Sequence, residues 1–221
     1  MGRGILSGGR WARPDEARPR PPRTRTRAGV PFDLPGWVIA PWSVRIFNAL
    51  WFRRIRRSGH EGLCHPQPFF YPLDAIRDWN RLYGARGMVQ YQCVLPLERE
   101  PNVHRRFFDV LTRMGGASPL AVIKDCGPEG RGLLSFPRPG ISVALDLPYR
   151  DGHTQALVDA LNEIVCEVGG RIYLSKDALT RRAHFEAMEP RLARFNEIRN
   201  KWDPERRLRS ALSVRLLGDP A

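Results

Sequence analysis

Two glutamines and one lysine have side chains of the kind that bind polar ligands. Gln90 and Gln92 alternate with apolar residues in a predicted strand and therefore point to the same face, where their amides can donate and accept hydrogen bonds with a polyhydroxylated ligand. Lys124 ends a short apolar segment and can supply positive charge to a phosphate. As alternatives to ligand binding, the two glutamines lie on a strand face that is simply solvated, and the Lys124 ammonium reaches into solvent.

A third polar segment, residues 173–177, follows the last predicted strand. Lys176 lies at the end of that strand beside a loop, where its ammonium would face a cleft and stabilise negative charge developing on a substrate oxygen. The adjacent Asp177 allows an alternative, in which it forms a plain surface ion pair with Lys176.

Motifs of several common enzyme classes are absent from the sequence, which contains no P-loop, no dinucleotide-binding glycine motif, no HExxH and no GxSxG. The five histidines are scattered, and we predict no metal site. His60 and His65, which flank Cys64, are interpreted as surface histidines, with a metal site as the alternative.

Hydrophobic periodicity predicts the elements that must position these residues. Within residues 88–174 the order is strand, helix, strand, strand, helix, strand, which is the ferredoxin-like order. The predicted fold class is therefore α+β, an antiparallel sheet with both helices on one face, which leaves the other face for a ligand or another layer. The remaining predictions are helices over 43–52 and 72–82, a loop over 58–68, and helices over 184–188, 191–202 and 210–217.

Charge and composition divide the chain unevenly. The net charge is +13, and residues 1–30 contribute +6 of it, with eight arginines against two acidic residues. That stretch is rich in Arg, Pro and Gly and is predicted to be disordered. Composition therefore divides the chain into a disordered segment over 1–30 and an ordered region after it; the resemblance to a known family, given below with its motifs, implies that this region consists of a partial substrate-binding domain over 31–174 and a C-terminal helical segment over 175–221.

The cysteines and the apolar segments indicate a reducing compartment. None of the four cysteines forms a CxxC pair, and we interpret them as buried free thiols rather than disulfides or zinc ligands. The N-terminus shows no secretory signal pattern. The longest apolar stretch, residues 35–52, is interrupted by polar residues and is not expected to span a membrane.

A series of short motifs, in order along the chain, resembles one enzyme family: 31–36 (PFDLPG), 47–52 (FNALWF), 71–74 (YPLD), 79–84 (WNRLYG), 90–92 (QYQ), 134–137 (LSFP), 169–173 (GGRIY), 176–177 (KD) and 202–204 (WDP). The resemblance is to FAD-linked oxidases of the vanillyl-alcohol-oxidase type. This group includes the oxidase component of decaprenylphosphoryl-β-D-ribose 2-epimerase and the aldonolactone oxidases. Only the C-terminal portion of such an oxidase is matched.

The resemblance implies that a secondary alcohol of a sugar gives up a hydride to the flavin. It implies catalytic roles for Lys176, which approaches flavin and substrate, and for Tyr173 in the same pocket. Ala144 stands where mycobacterial members carry a cysteine near the flavin, and it is assigned with Lys176 to cofactor binding. The implied substrate-binding residues are Gln90, Gln92, Lys124, Trp79 and Ser142, the last standing where an Asn is often found.

The family's N-terminal half, which holds the ADP and pyrophosphate parts of FAD with glycine-rich turns, has no counterpart in residues 1–30. We therefore expect incomplete FAD binding and an inactive chain unless a separately encoded flavin-binding half completes it; a non-catalytic scaffold is an alternative. The expected partner is a sugar or lipid-linked sugar. The expected location is the cytoplasm, with peripheral attachment to the inner face of the membrane compatible with the basic surface.

A different class of function remains open, a small basic nucleic-acid-binding module built on the ferredoxin-like sheet. Such a module would bind in a strongly salt-dependent way. The predicted central strands lack the aromatic residues that stack on bases, because Gln90, Gln92 and Ser142 occupy those positions. We therefore expect no specific nucleic-acid partner.

Overall fold

The structure is a computed structural model that describes residues 8–16, 29–54, 61–71, 76–98, 100–116, 118 and 120–220. Most of the segment predicted to be disordered, residues 1–7 and 17–28, lies outside the described residues. The chain divides into two compact units, residues 1–87 and 88–221, which are described separately.

The first unit contains short helices only, among its described residues. They are a 3-10 helix over Gly36–Val38, α1 over Pro41–Arg54, α2 over Pro66–Phe70 and a second 3-10 helix over Trp79–Tyr83. Proline suits the first turn of α1 and α2 because its missing N–H would have no helical partner there. The Ser43 hydroxyl accepts from Ala40 N at 2.9 Å and donates to Val38 O at 2.6 Å, which fixes the start of α1.

Two predictions for this unit are wrong in part. A loop was predicted over 58–68, but α2 begins at Pro66, and residues 58–60 lie outside the described residues. His65 caps the start of α2, since its Nδ1 accepts a hydrogen bond from Gln67 N at 3.2 Å. His65 therefore acts as a helix cap. The helix predicted over 72–82 is reduced to the 3-10 helix over Trp79–Tyr83, while residues 72–75 lie outside the described residues. Asp78 precedes that helix in the left-handed region (φ 55), so a regular helix cannot run through it.

The second unit is built on a four-stranded sheet. In chain order its elements are β1 (Met88–Leu95), α3 (Val103–Arg113), β2 (Ala121–Cys126), β3 (Gly140–Pro148), α4 (Asp151–Glu167), β4 (Arg171–Ile172), α5 (Arg182–Met188), α6 (Leu192–Trp202) and a π-helix over Ser213–Leu217. The sheet order is β2-β3-β1-β4 and every neighbouring pair is antiparallel. The predicted α+β class is confirmed.

One face of the sheet and two helices form the hydrophobic core. Alternate residues of β1, including Tyr91, Cys93 and Leu95, are buried against α3 and α4, which contribute Phe107 and Leu161. The side-chain period of two along β1 and β3 explains this arrangement, since it gives each strand one apolar face. The Tyr91 hydroxyl lies inside the core and donates to Asn162 Oδ1 of α4 at 3.0 Å, so that its polar end is satisfied.

The C-terminal helices pack on the same core. Phe185 and Met188 of α5 and Leu216 of the π-helix are all buried in the cluster that contains the sheet residues. Arg199 of α6 forms an ion pair with Asp219, which lowers the pKa of that carboxyl to about 2. This pair is therefore present at neutral pH and is lost as the pH falls through about 2.

The cysteines differ in exposure, which corrects the prediction that all four are buried. Cys64 is exposed, Cys126 and Cys166 are half-buried, and Cys93 is fully buried, with a pKa raised to about 12 by burial. Because the thiolate is the reactive form, we expect native protein to react with Ellman's reagent fastest at Cys64 and not at Cys93 until it is unfolded. Mass spectrometry of alkylated native protein measures this, and early labelling of Cys93 would contradict the buried register of β1.

Candidate functional site

The sheet face opposite α3 and α4 carries a group of polar side chains, which we call the polar face. Cross-strand register places Gln90 opposite Asp146, and Gln92 opposite Ala144. It also places Ser142 opposite Lys124 of the edge strand β2. Most of the residues that the sequence singled out therefore lie on a single surface: Gln90, Gln92, Lys124, Ser142 and Ala144.

Hydrogen bonds across the sheet hold both glutamine amides, and the partner of Gln90 also fixes which end of its amide faces it. Gln90 Nε2 donates to Asp146 Oδ1 at 2.9 Å, and Gln92 Nε2 donates to Ser142 Oγ at 3.0 Å. Because a carboxylate only accepts, the Gln90 amide must present its nitrogen to Asp146 and its oxygen elsewhere. Gln90 thus offers an acceptor oxygen with a set direction, which suits a hydroxyl donor of a ligand, while Gln92 faces a hydroxyl that can either donate or accept.

Tyr173 lies at the β4 end of the polar face. Its backbone N–H donates to Gln92 O at 2.8 Å, which continues the pairing of β4 with β1 beyond Ile172. Its ring contacts the Phe136 ring at a centroid distance of 4.8 Å. The half-buried Tyr173 is therefore held between the central strand and the loop over 127–139.

A cluster of arginines and glutamates fastens that loop to the sheet. Arg171 Nη1 contacts Glu129 at 2.7 Å and also donates to Ser135 O, and its Nε lies 3.2 Å from Glu189 Oε2. Arg191 pairs with both Glu129 and Glu189 at 2.8 Å. The hydrogen bond from Arg171 lowers the pKa of Glu129, so this attachment is present at neutral pH and is lost as the pH falls through that lowered pKa.

Lys176 lies beside β1, in the turn after β4. Its backbone N–H donates to Tyr173 O at 2.8 Å, and the half-buried Lys176 lines a narrow crevice with Gln90 and Tyr91 of β1 and Val158 of α4. The structure therefore brings Lys176 beside the strand that carries both glutamines. Lys124, in contrast, is exposed on the edge strand β2.

The ion pair between Lys176 and Asp177, which the sequence left as an alternative, is not the one that Asp177 forms. Asp177 is buried and pairs with Arg215 of the π-helix, with Oδ1 3.1 Å from Nη2. Arg215 Nη1 also donates to Asp177 O at 3.0 Å and to Thr180 O at 2.7 Å. Burial raises the pKa of Asp177, an effect that Arg215 opposes. The C-terminal helix thus fixes the backbone immediately after Lys176.

Sequence reasoning missed two residues of this surface. Asp146, which orients Gln90, was interpreted only as part of an apolar strand, and Arg171 was not considered. Asp146 alternates with the apolar residues of β3, and this single charge between Leu145 and Leu147 was a usable signal.

Trp79 lies in the first unit, where its ring and the Tyr83 ring have a centroid distance of 6.2 Å. None of the described helices combines the length and the apolar character that a membrane span requires. The described part of the chain holds no group of three or more potential metal ligands.

The fold and the polar face define an α+β protein whose sheet has one apolar, helix-covered side and one polar side. No family model matches the chain. The chain is 32% identical over 228 residues to decaprenylphosphoryl-β-D-ribose oxidase of Mycolicibacterium smegmatis, an alignment covering 98% of this chain and 48% of that oxidase. It is also 35% identical over 144 residues to an uncharacterized protein in the mprA 5' region of Streptomyces coelicolor, covering 65% of this chain and 39% of that protein.

These similarities confirm the resemblance that the sequence motifs predict, to the C-terminal portion of such an oxidase. They support an oxidoreductase fragment. The chain spans about half the length of the first relative and about two fifths of the second.

Proposed function

We propose that this chain is the substrate-side part of an FAD-dependent oxidoreductase that oxidises a sugar-like secondary alcohol, of the decaprenylphosphoryl-ribose or aldonolactone type. The observation that supports the proposal is a crevice beside β1 that Lys176 and Gln90 both line, in a chain similar over 98% of its length to a decaprenylphosphoryl-β-D-ribose oxidase. The polar face supplies oriented amide and hydroxyl groups of the kind that bind sugars.

The residues present fit the ring end of FAD. A half-buried lysine beside Gln90 offers positive charge where a reduced flavin ring carries negative charge. The pyrophosphate end has no such partner in the strand-to-helix connections of the second unit, because residues 96–102 and 149–150 contain no glycine. FAD binding therefore requires a flavin-binding portion that these residues do not supply.

The proposed roles follow from the chemistry of each group. FAD, when bound, takes up the hydride that leaves the alcohol carbon. As the hydroxyl proton of the substrate passes to solvent, the Lys176 ammonium would stabilise negative charge on the substrate oxygen, and Tyr173 would position the ligand from the β4 end. Gln90 and Gln92 bind sugar hydroxyls, the buried Ser142 holds the Gln92 amide, and Lys124 binds a phosphate at the edge of the sheet.

Reconstitution tests the proposal. We expect the chain alone to retain little FAD after purification with added cofactor. When it is produced together with the flavin-binding half of the Mycolicibacterium smegmatis oxidase, we expect a yellow complex whose visible flavin absorbance bleaches on anaerobic addition of decaprenylphosphoryl ribose.

The flavin-binding half alone is the control and should not bleach. A stoichiometric yellow protein from the isolated chain would overturn the need for a second half. Failure of the complex to bleach with either decaprenylphosphoryl ribose or an aldonolactone would overturn the proposed activity.

A further inference from the structure

Asp146 is an acidic side chain that is buried on the polar face of the sheet. It is 4% exposed and lies on β3 between the core residues Leu145 and Leu147. A carboxylate in such a place costs free energy unless the fold supplies hydrogen-bond donors, and Gln90 Nε2 supplies one at 2.9 Å. Because a buried charge is weak evidence for stability, the effect of Asp146 on Gln90 is the better explanation of its place.

Strand pairing brings the Gln90 and Asp146 side chains as close together as an antiparallel sheet allows. The Asp146 N–H donates to Leu120 O at 3.2 Å and therefore points toward β2. The Gln92 carbonyl accepts from Tyr173 N, so the backbone groups of Gln92, and with them those of Gln90 two residues earlier, point toward β4. Gln90 and Asp146 are thus a non-hydrogen-bonded pair, the kind in which opposite side chains lie closest.

The partner of Gln90 differs in kind from the partner of Gln92. The Ser142 hydroxyl, 3.0 Å from Gln92 Nε2, can donate as well as accept, so either end of the Gln92 amide can face it. The Asp146 carboxylate only accepts, so the Gln90 amide must keep its nitrogen toward Asp146. Since Gln90 is exposed and Asp146 is buried, the Gln90 amide oxygen stays available to a ligand on the polar face.

We propose that Asp146 sets the specificity of the polar face by locking Gln90 as a hydrogen-bond acceptor. The inference rests on the proposed function, in which the reacting alcohol lies beside Lys176, because Gln90 lines the same crevice as Lys176. A locked acceptor binds a hydroxyl and rejects a carbonyl, an ether or a fluorine in its place, since none of these can donate. The substrate selected is therefore a vicinal diol, with a free hydroxyl next to the one that is oxidised. Asp146 is a positioning residue that acts through Gln90.

Stopped-flow reduction of the flavin in the reconstituted complex tests the proposal. Decaprenylphosphoryl ribose is compared with analogues in which one hydroxyl other than the oxidised one is replaced by fluorine, which cannot donate. We expect the parent complex to bind one analogue roughly tenfold more weakly, as for one lost hydrogen bond. Asp146→Asn should reduce this discrimination to about twofold, because an amide partner lets the Gln90 amide turn either end to the ligand. The rate at saturating decaprenylphosphoryl ribose should stay within about threefold of the parent rate.

An exchanged pair separates positioning from stability. In the double variant Gln90→Glu with Asp146→Asn, the introduced amide donates to the introduced carboxylate, whose second oxygen again offers the ligand an acceptor. Roughly tenfold discrimination should therefore return. Asp109→Asn is the matched control, because Asp109 is an exposed aspartate on α3, on the other side of the sheet, and its replacement should leave the discrimination unchanged. Circular dichroism of each variant checks the fold.

Nuclear magnetic resonance of the full chain gives a second measurement that needs no flavin. One Gln90 Nε2 proton should resonate downfield of the other, because it is bonded to a carboxylate, and Asp146→Asn should remove that shift. Undiminished discrimination in Asp146→Asn, no recovery in the double variant, or the absence of the shift in the parent chain would overturn this inference while the flavin still bleaches. A complex that bleaches with no substrate would overturn the proposed function and this inference together.

Discussion

Replacing Lys176 by methionine is expected to slow substrate-driven flavin reduction in the reconstituted complex by roughly 100- to 1,000-fold. Methionine keeps the length and the apolar stem of Lys176 in the crevice that Gln90 also lines, but it removes the ammonium. Without it, negative charge on the substrate oxygen is left uncompensated in a partly dehydrated site. Anaerobic stopped-flow measurement of flavin bleaching, expressed per bound flavin, gives the rate.

Lys201→Met is the matched control, because Lys201 lies on the exposed surface of α6, and the rate should be unchanged. Lys124→Met should instead raise the concentration of phosphate-bearing substrate needed for half-maximal rate, since Lys124 is exposed at the edge of the polar face. If Lys176→Met lost flavin but reduced its remaining flavin at the parent rate, Lys176 would hold the cofactor and have no part in the reaction.

The elements around the polar face could be predicted because their signals are local. The strands that alternation predicts over 88–95 and 141–147 occur as β1 at Met88–Leu95 and β3 at Gly140–Pro148. Placing Gln90 and Gln92 together requires only a period of two. Their partners Asp146 and Ser142 depend on strand pairing, which the order of the elements indicates and the register of β1 with β3 then fixes.

The environment of Lys176 could not be predicted from the sequence near it. Asp177 is the adjacent acidic residue, yet it pairs with Arg215, which is 38 positions away along the chain. Burial explains the choice, because a buried carboxylate requires a charged partner delivered by the fold, while an exposed lysine–aspartate neighbour pair gains little. The short helix α2 was missed for a different reason. Its start depends on a cap from the neighbouring His65, a residue type that the sequence alone does not mark as a helix cap.

A buried charge cluster connects α5 to the loop beside Tyr173. The side chains of Arg171 and Glu189 are only 6% and 2% exposed, and Arg191 supplies a second positive charge to Glu189 at 2.8 Å. Charges taken out of water are tolerated only when they are paired. Removing the Glu189 charge would therefore leave Arg171 with Glu129 alone, whose side chain is 43% exposed.

Glu189→Gln is accordingly expected to lower the free energy of unfolding by about 3–5 kcal/mol, a large part of the stability of a domain of this size. The amide keeps the shape of the carboxylate but leaves the buried Arg171 guanidinium with only the partly exposed Glu129 as a charge partner. Urea unfolding followed by circular dichroism measures the loss. Hydrogen exchange should also show reduced protection around Phe136, because Arg171 and Arg191 together hold Ser135 O.

Glu186→Gln, on α5 and three residues before Glu189, is the control that separates the effect of burial from the effect of removing any carboxylate charge. Glu186 pairs with Arg182 at 2.7 Å across one helical turn, but both side chains are about half exposed. An exposed pair of this kind contributes about 0.3–0.5 kcal/mol, so its loss should barely change the urea midpoint. Equal effects from the two substitutions would contradict the buried cluster, and with it the attachment of the loop that holds Tyr173 at the end of the polar face.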